Sequence, residues 1–504
     1  MESAIKTNIE KRVYFGGGVI ILAVALLTAL LQTLFAMSVP VTIALLVVMA
    51  LTLLVFLFFT FKGKITDENR ILLMIFLGML LRAHFVLTHD IYTLQNDTGT
   101  FTGAGTDQIN IGHLGYIEYL YKFGKFPDFD PYEVFGYFHP PVHHILEALW
   151  LTVQRSIGVN ELAAFENLQI LTLIYSGLCM LVMLHILEEC GVKKELLTYG
   201  MILFCFYPRM MVLAGSVNND ILALLLLMTT IWRVLVWIRN KTYGNAALMA
   251  LSLGFSMITK LNTAICAFSI GLVLLVYLIG VIRDGNLVAI RKTIWQYVVF
   301  AVISIPIGLS YILRNLILFG KKPGLPTQGE GSPMYFGDYP IWSIIGVPAF
   351  SDLHIEFPFH PISGDACHNA WVILFQTGLF AEGYPAEIGS VLLIFAQVAY
   401  VASIVLAIVT SAVFLVGYGV KMAKDNKALF LWSTYVFMLL SFMLYMIKYP
   451  YTCSGDFRYM AATLVFTSIG FVLVSKKKGL KLVVCVLMCV TIVGSDALYL
   501  AGAI

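Results

Sequence analysis

An all-α polytopic membrane protein is predicted by three observations: the composition, the length of the apolar runs, and the side on which the basic residues fall. The 504 residues are 60% hydrophobic and 12% charged, with a mean hydropathy of +0.88. Soluble domains carry roughly 25% charged residues, so lipid must solvate most of this chain. Apolar runs able to cross about 30 Å of hydrocarbon recur about thirteen times.

The first run, 13–35, is too long for a signal-peptide core and lacks a small-residue cleavage site, so it reads as a retained span. Further spans are expected at 41–61, 71–88, 168–188, 196–214, 219–239, 243–260, 261–282, 294–313, 387–417, 428–447, 459–474 and 480–500. With the N-terminus cytoplasmic, the clusters Lys11/Arg12, Lys62/Lys64/Arg70, Lys193/Lys194, Arg239/Lys241, Arg283/Arg291/Lys292, Lys421/Lys424/Lys427 and Lys476–Lys478 all fall inside. Counted over the whole chain, the inside holds about 21 Lys and Arg against about 9 Asp and Glu. The outside holds about 11 against about 20, which together recovers the totals of 32 and 29. That is the asymmetry of the positive-inside rule.

Two large loops then face outward, 89–167 and 314–386. The first contains "GYFHPPVHHIL", residues 136–146. If 141–157 crossed the membrane, the later charge alternation would break, so this segment is expected to be a juxtamembrane helix. Val142, Ile145, Leu146, Leu149, Trp150 and Val153 follow a helical stripe, with His143, His144, Glu147, Gln154 and Arg155 opposite. Pro140 and Pro141 suit its first turn, and His143 and His144 are expected among lipid headgroups. In the second loop, "CHNAWVILFQTGLF" reads as another interfacial helix. Cys367 and Cys453 lie in polar segments and could pair in an oxidising compartment. No internal repeat or separate soluble domain is visible.

Polar chemistry gathers at the outward helix ends. Arg82, Arg209, Lys260, Arg314, Lys448 and Arg458 are all placed on the side the charge rule disfavours, accompanied by Asp90, Asp97, Asp107, Asp220 and Asp456. Any one of them could snorkel to headgroups or form a structural pair. Six cations beside a large loop suit an anionic group carried on a lipid, such as a phosphate. Asp97 and Asp107 lie in a Gly/Thr-rich segment directly after the third span, ahead of an amphipathic run that begins at His113. A carboxylate there can act as general base on a hydroxyl, or can serve as an Asx-turn or helix cap. Asn96-Asp97-Thr98 also matches a glycosylation sequon. Asn219 and Asp220, in "GSVNND", can cap the sixth span or point into a site. His139 is expected to line the polar site. The three histidines lack a second His/Cys cluster, so a divalent metal is possible but not predicted, and no cofactor is certain.

An acidic first loop, a "YFHPP" turn, "NND" opening one span, "TK" closing another, "RN…FG…P" after a third and a late "DFRY" together resemble the GT-C membrane glycosyltransferases. Among these the nearest likeness is to glycosyltransferase family 39, the protein O-mannosyltransferase-like and aminoarabinose transferase-like group, in its bacterial form. The likeness covers roughly 70–475. It implies a GT-C-like bundle of about thirteen transmembrane helices with juxtamembrane helices in the large first loop. Residues 1–70 would be two extra N-terminal helices and 71–313 the catalytic core with loop 89–167. Residues 314–386 would be the second loop and 387–504 the C-terminal helices.

The implied activity is transfer of a sugar, of hexosyl or mannosyl type, from a polyprenyl-phosphate donor to a glycan, lipid or protein acceptor on the outer face of a bacterial plasma membrane. No nucleic acid is an expected partner. Asp97 or Asp107 would be the base, with Asp97 favoured by its "Q-x-D-x-G" setting. Lys260, Arg314 and Arg458 would stabilise the departing phosphate. His113, His139, Asn219, Asp220, Asp456 and Tyr459 would contact substrate. A transporter or flippase of lipid-linked sugars is the alternative, although transporters place polar residues at the bilayer midplane and often show repeats.

Overall fold

The apolar runs form helices. The computed structural model describes residues 11–35, 39–92, 103–104, 109–324, 331–361 and 367–504. In chain order these are α1 (Lys11–Phe35), α2 (Val39–Phe61), α3 (Asp67–Thr88), α4 (Gly112–Phe123), α5 (Val142–Ser156), α6 (Glu161–Glu166), α7 (Gln169–Glu189), α8 (Leu197–Phe206), α9 (Pro208–Gly215) and α10 (Asp220–Arg239). They continue with α11 (Tyr243–Thr259), α12 (Ile265–Arg283), α13 (Leu287–Phe319), α14 (Ile341–Ile345), α15 (Ala370–Phe380), α16 (Ser390–Gly419), α17 (Asn426–Lys448), α18 (Thr463–Ser475) and α19 (Lys478–Leu500). The extended structure among the described residues is slight: Gly103–Ala104 pairs antiparallel with Ile109–Asn110, and Tyr335 bridges Tyr451.

Among the described residues, ten helical segments are long and apolar enough to cross a membrane, and two bent pairs raise the number to twelve. The chain is a multi-pass membrane protein. The thirteenth expected segment is α11, whose 17 residues extend about 25 Å at 1.5 Å per residue, at the lower limit for crossing. Buried Leu, Ile, Met and Phe of α3, α7, α8, α10 and α18 share one core. Within the described residues of α2 none is buried, while α1 lays Gly17 against Leu181 and Ile75. At the end opposite the large loops, Lys194 pairs with Glu68, Arg239 with Glu189 at 2.7 Å, and Lys427 with Glu189 at 3.3 Å.

The break between α8 and α9 has a local cause. Pro208 has no N–H for the Phe204 carbonyl four residues back, and the axis turns by 48°. Arg82, fully buried on α3, fills the gap: its guanidinium donates to Phe204 O at 2.6 Å, Cys205 O at 2.7 Å, Gly78 O at 2.8 Å and Ser176 Oγ at 2.8 Å. Arg82 is therefore an interior cap for a broken helix, not a cation at the membrane edge as expected.

Three loop expectations also change. Helix α5 is amphipathic as predicted, but its polar face points inward. His143, His144 and Glu147 are 0% exposed, whereas Leu149 and Val153 are 58% and 49% exposed. The histidines belong to the interior and not to headgroups; His113 of α4 gives His144 a hydrogen-bond partner there. Pro141 caps the helix one residue ahead of its first turn. Helix α15 forms where expected but is buried, packed against α9 and the Phe457–Met460 turn, where Thr377 Oγ1 accepts from Phe457 N at 2.9 Å. Cys367 and Cys453 are not joined in a disulfide.

Candidate functional site

Helix ends from four parts of the chain meet beside the two loops. Asp220 opens α10, where the helix dipole favours a carboxylate. Its Oδ1 accepts from Lys260 Nζ, and Arg458 lies 3.9 Å from Oδ2. Lys260 follows α11 in extended conformation, and its carbonyl takes both the backbone N–H (3.2 Å) and hydroxyl (2.9 Å) of Thr263. Those bonds turn the chain into α12 and fix where the ammonium points. Asn219 donates its side-chain amide to Thr259 O at 2.9 Å, tying α10 to the last turn of α11.

The "DFRY" segment supplies the other half. Asp456 caps the Phe457–Met460 turn by accepting from Arg458 N at 2.7 Å, and the same carboxylate pairs with fully buried Arg209. Lys260 and Arg458 flank the Tyr459 ring, 4.8 and 5.0 Å from its centroid, and Arg458 also donates to the Tyr459 hydroxyl at 3.2 Å. Among the described residues, three buried cations, Arg209, Lys260 and Arg458, gather on two carboxylates, Asp220 and Asp456. Buried cations require anionic partners.

A cavity of about 330 Å³ opens beside this cluster. His139, Lys260 and Tyr459 line it, together with Tyr132, Tyr311, Asn315, Lys321, Tyr445 and Tyr449. Leu227, Ile265, Met438 and Phe442 extend it as an apolar wall along α10, α12 and α17. Gly320, at φ 66°, ends α13 and reverses the chain so that Lys321 returns over the cavity, where it pairs with Asp130 at 2.8 Å. On the first-loop side, Gly136 adopts φ 89°, and a Cβ there would lie 2.6 Å from the Gly112 carbonyl carbon, so no larger residue fits. That approach seats the "YFHPP" turn on α4.

Behind His139 stand the other histidines. His113 stacks on it with centroids 4.7 Å apart, and His113 Nδ1 shares a 2.8 Å hydrogen bond with His144 Nε2. His143 and Glu147 approach to 3.9 Å, and neither side chain has a hydrogen-bond partner among the described residues. Burial holds the His143 imidazole down to about 3 and the Glu147 carboxyl well above the usual range. Burial, with Lys260 and Arg458 nearby, holds His139 well below its ordinary value.

The structure thus brings together Lys260, Asp220, Asn219, Asp456, Arg458, Tyr459, His139 and His113. Lys260, Tyr459 and His139 face the cavity; Asn219 and Asp456 support it from behind. Arg314 is not among the lining residues. Its guanidinium donates to Pro127 O and to Asn315 Oδ1 at 3.0 Å, and lies over Phe126 and Phe319. Asp97, Asp107 and the Asn96 sequon lie outside the described residues. Among the described residues no group of three or more His, Cys, Asp or Glu is placed to hold a metal ion. Sequence reasoning missed the tyrosines and Asn315. Tyr445 and Tyr449, one turn apart at the end of α17, are the signal that could have found two of them.

No family model and no curated protein matches the sequence. Solved structures do match. ArnT from Cupriavidus metallidurans bound to undecaprenyl phosphate aligns with a TM-score of 0.35 and 14% identity, over 80% of this chain and 76% of that one. The apo oligosaccharyltransferase of Archaeoglobus fulgidus aligns with a TM-score of 0.50 and 11% identity over 86% of this chain. The present chain spans 56% of that protein's length. The bundle has the GT-C-like membrane fold.

Proposed function

We propose that this chain is an integral-membrane glycosyltransferase that moves a sugar from a polyprenyl-phosphate donor to an acceptor on the non-cytoplasmic face. The observation that carries the reading is the cavity itself: an apolar wall between α10, α12 and α17 leads to the Lys260 ammonium, with Arg458 close behind it across Asp220. An isoprenoid tail suits the wall, and a phosphate suits the charge. The tyrosines offer flat faces for a sugar ring. A fold shared with an oligosaccharyltransferase supports the same class of reaction.

In the proposed step, Asp97 or Asp107 takes the proton of the acceptor hydroxyl and the acceptor oxygen attacks the anomeric carbon. The bond from that carbon to the phosphate oxygen breaks, and its electron pair leaves with the lipid phosphate, stabilised by Lys260 and Arg458. Arg314 fastens the first loop to α13 in this reading. The hexosyl class, the cell-envelope setting and the treatment of residues 1–70 as an N-terminal addition belong to the same proposal. Transport is less well supported. The break after Phe206 is already filled by Arg82, and the charged cluster lies at helix ends rather than at mid-span.

The test is transfer from a panel of radiolabelled polyprenyl-phosphate sugars in membranes, comparing wild type with Asp97→Asn and Asp107→Asn. One of the two variants should lose transfer while still folding. Near-normal turnover by both would remove the general-base step, and no transfer from any donor would remove the activity.

A further inference from the structure

Five titratable side chains, His113, His139, His143, His144 and Glu147, are packed together behind the cavity, and the sugar-transfer step uses none of them. Only His139 reaches the cavity. The groups around it come from every neighbouring element: His113 from α4, His143 and His144 from α5, Lys260 from the end of α11, Arg458 and Tyr459 from the "DFRY" turn, Tyr311 from α13, and Lys321 with Asp130 across the opening. Asp220 lies beyond Lys260, and Glu147 beyond His143. His139 therefore sits next to two cations with its ring stacked on His113.

This arrangement has a consequence for anion binding. A proton on His139 in the empty cavity would add a third positive charge beside Lys260 and Arg458. A phosphate on Lys260 reverses the balance, because the anion both offsets those cations and offers an acceptor to the imidazole.

We propose that His139 is a further phosphate-binding residue, neutral in the empty cavity, that takes one proton from solvent as the donor phosphate enters and then donates a hydrogen bond to it. The His113–His144 pair is the positioning group that holds the ring. The proposal rests on the donor reading given above. It makes donor binding tighter at lower pH, by up to about tenfold per pH unit over the range in which the bound imidazole takes up its proton.

The probe is farnesyl phosphoryl mannose, a phosphodiester that does not itself titrate in this range, bound to the full chain in detergent. Calorimetry at pH 6.0 in buffers of different ionisation enthalpy reads the protons taken up per ligand. Wild type should take up more than about half a proton, and His139→Gln and His139→Asn should bind with almost none and with a flat pH dependence. Binding by wild type without proton uptake, or uptake unchanged in the folded variants, would overturn the histidine proposal alone. Absence of binding by wild type at any pH would overturn the donor reading and this proposal with it.

Discussion

Lys260 is the residue on which the donor reading depends most, and Lys260→Met tests it with little change in shape. Methionine keeps most of the stem that lies against the Tyr459 ring and removes the ammonium that pairs with Asp220. The site then loses one positive charge. A charge-assisted hydrogen bond contributes about 1.5–3 kcal/mol, which corresponds to a loss of roughly 10- to 150-fold in kcat/KM for the donor. KM for the acceptor should stay near its wild-type value. Steady-state transfer with donor varied at fixed acceptor reads this directly, and thermal unfolding in detergent checks folding. The double variant Lys260→Met/Asp220→Asn separates two explanations. It removes the carboxylate together with the ammonium and so keeps the wild-type net charge, and stability should recover while donor kcat/KM stays well below wild type. A folded Lys260→Met enzyme within threefold of wild type would refute the reasoning. So would full recovery of activity in the double variant, because Lys260 would then matter only as half of a structural pair.

Arg82→Leu should lower stability by at least about 3 kcal/mol, since it strands the Phe204 and Cys205 carbonyls at the helix break; an unchanged unfolding midpoint would contradict its capping role. Arg209→Met leaves Asp456 buried with its ion-pair partner gone, a loss of about 3–5 kcal/mol, and adding Asp456→Asn should return much of it, as measured by the same midpoint. The buried pair on α5 gives opposite pH slopes. The His143 imidazole is held neutral, so its contribution is complete above about pH 6.5 and is lost as pH falls towards about 3; His143→Asn should flatten that acid limb of the melting curve. The Glu147 carboxyl is held protonated, so its contribution is complete below about pH 4.5 and declines as pH rises. Glu147→Gln should therefore gain on wild type with rising pH, and a gain that shrinks instead would show the carboxylate to be ionised in the fold.

The parts of the structure that follow from one-dimensional patterns were legible in the sequence. Segment length located the spans, and α5, a helix of 15 residues, is not among the segments long and apolar enough to cross. Lys260, Asp220, Arg458 and Tyr459 could be grouped because each stands at a helix end on the same side, and helix ends on one side must meet if the bundle is closed. Which face of α5 turns inward was not legible. Periodicity separates His143, His144 and Glu147 from Leu149 and Val153, but only the position of His113 on α4 decides which stripe is covered. Arg82 and Arg314 misled for a related reason. Each has backbone carbonyls among its partners, at Phe204 and Cys205 for one and Pro127 for the other, and no side-chain pattern marks a carbonyl left open by a proline or a loop. Helix α15 reads as interfacial by composition because its apolar residues give no sign that α9 and the "DFRY" turn enclose it.

The most direct test of the central claim is a structure of the full chain with farnesyl phosphoryl mannose bound. The account predicts the phosphate within about 3 Å of Lys260 Nζ, the farnesyl chain against Leu227, Ile265, Met438 and Phe442, and the sugar among the cavity tyrosines. A phosphate held elsewhere, with Lys260 still closed on Asp220 and the cavity empty, would contradict it.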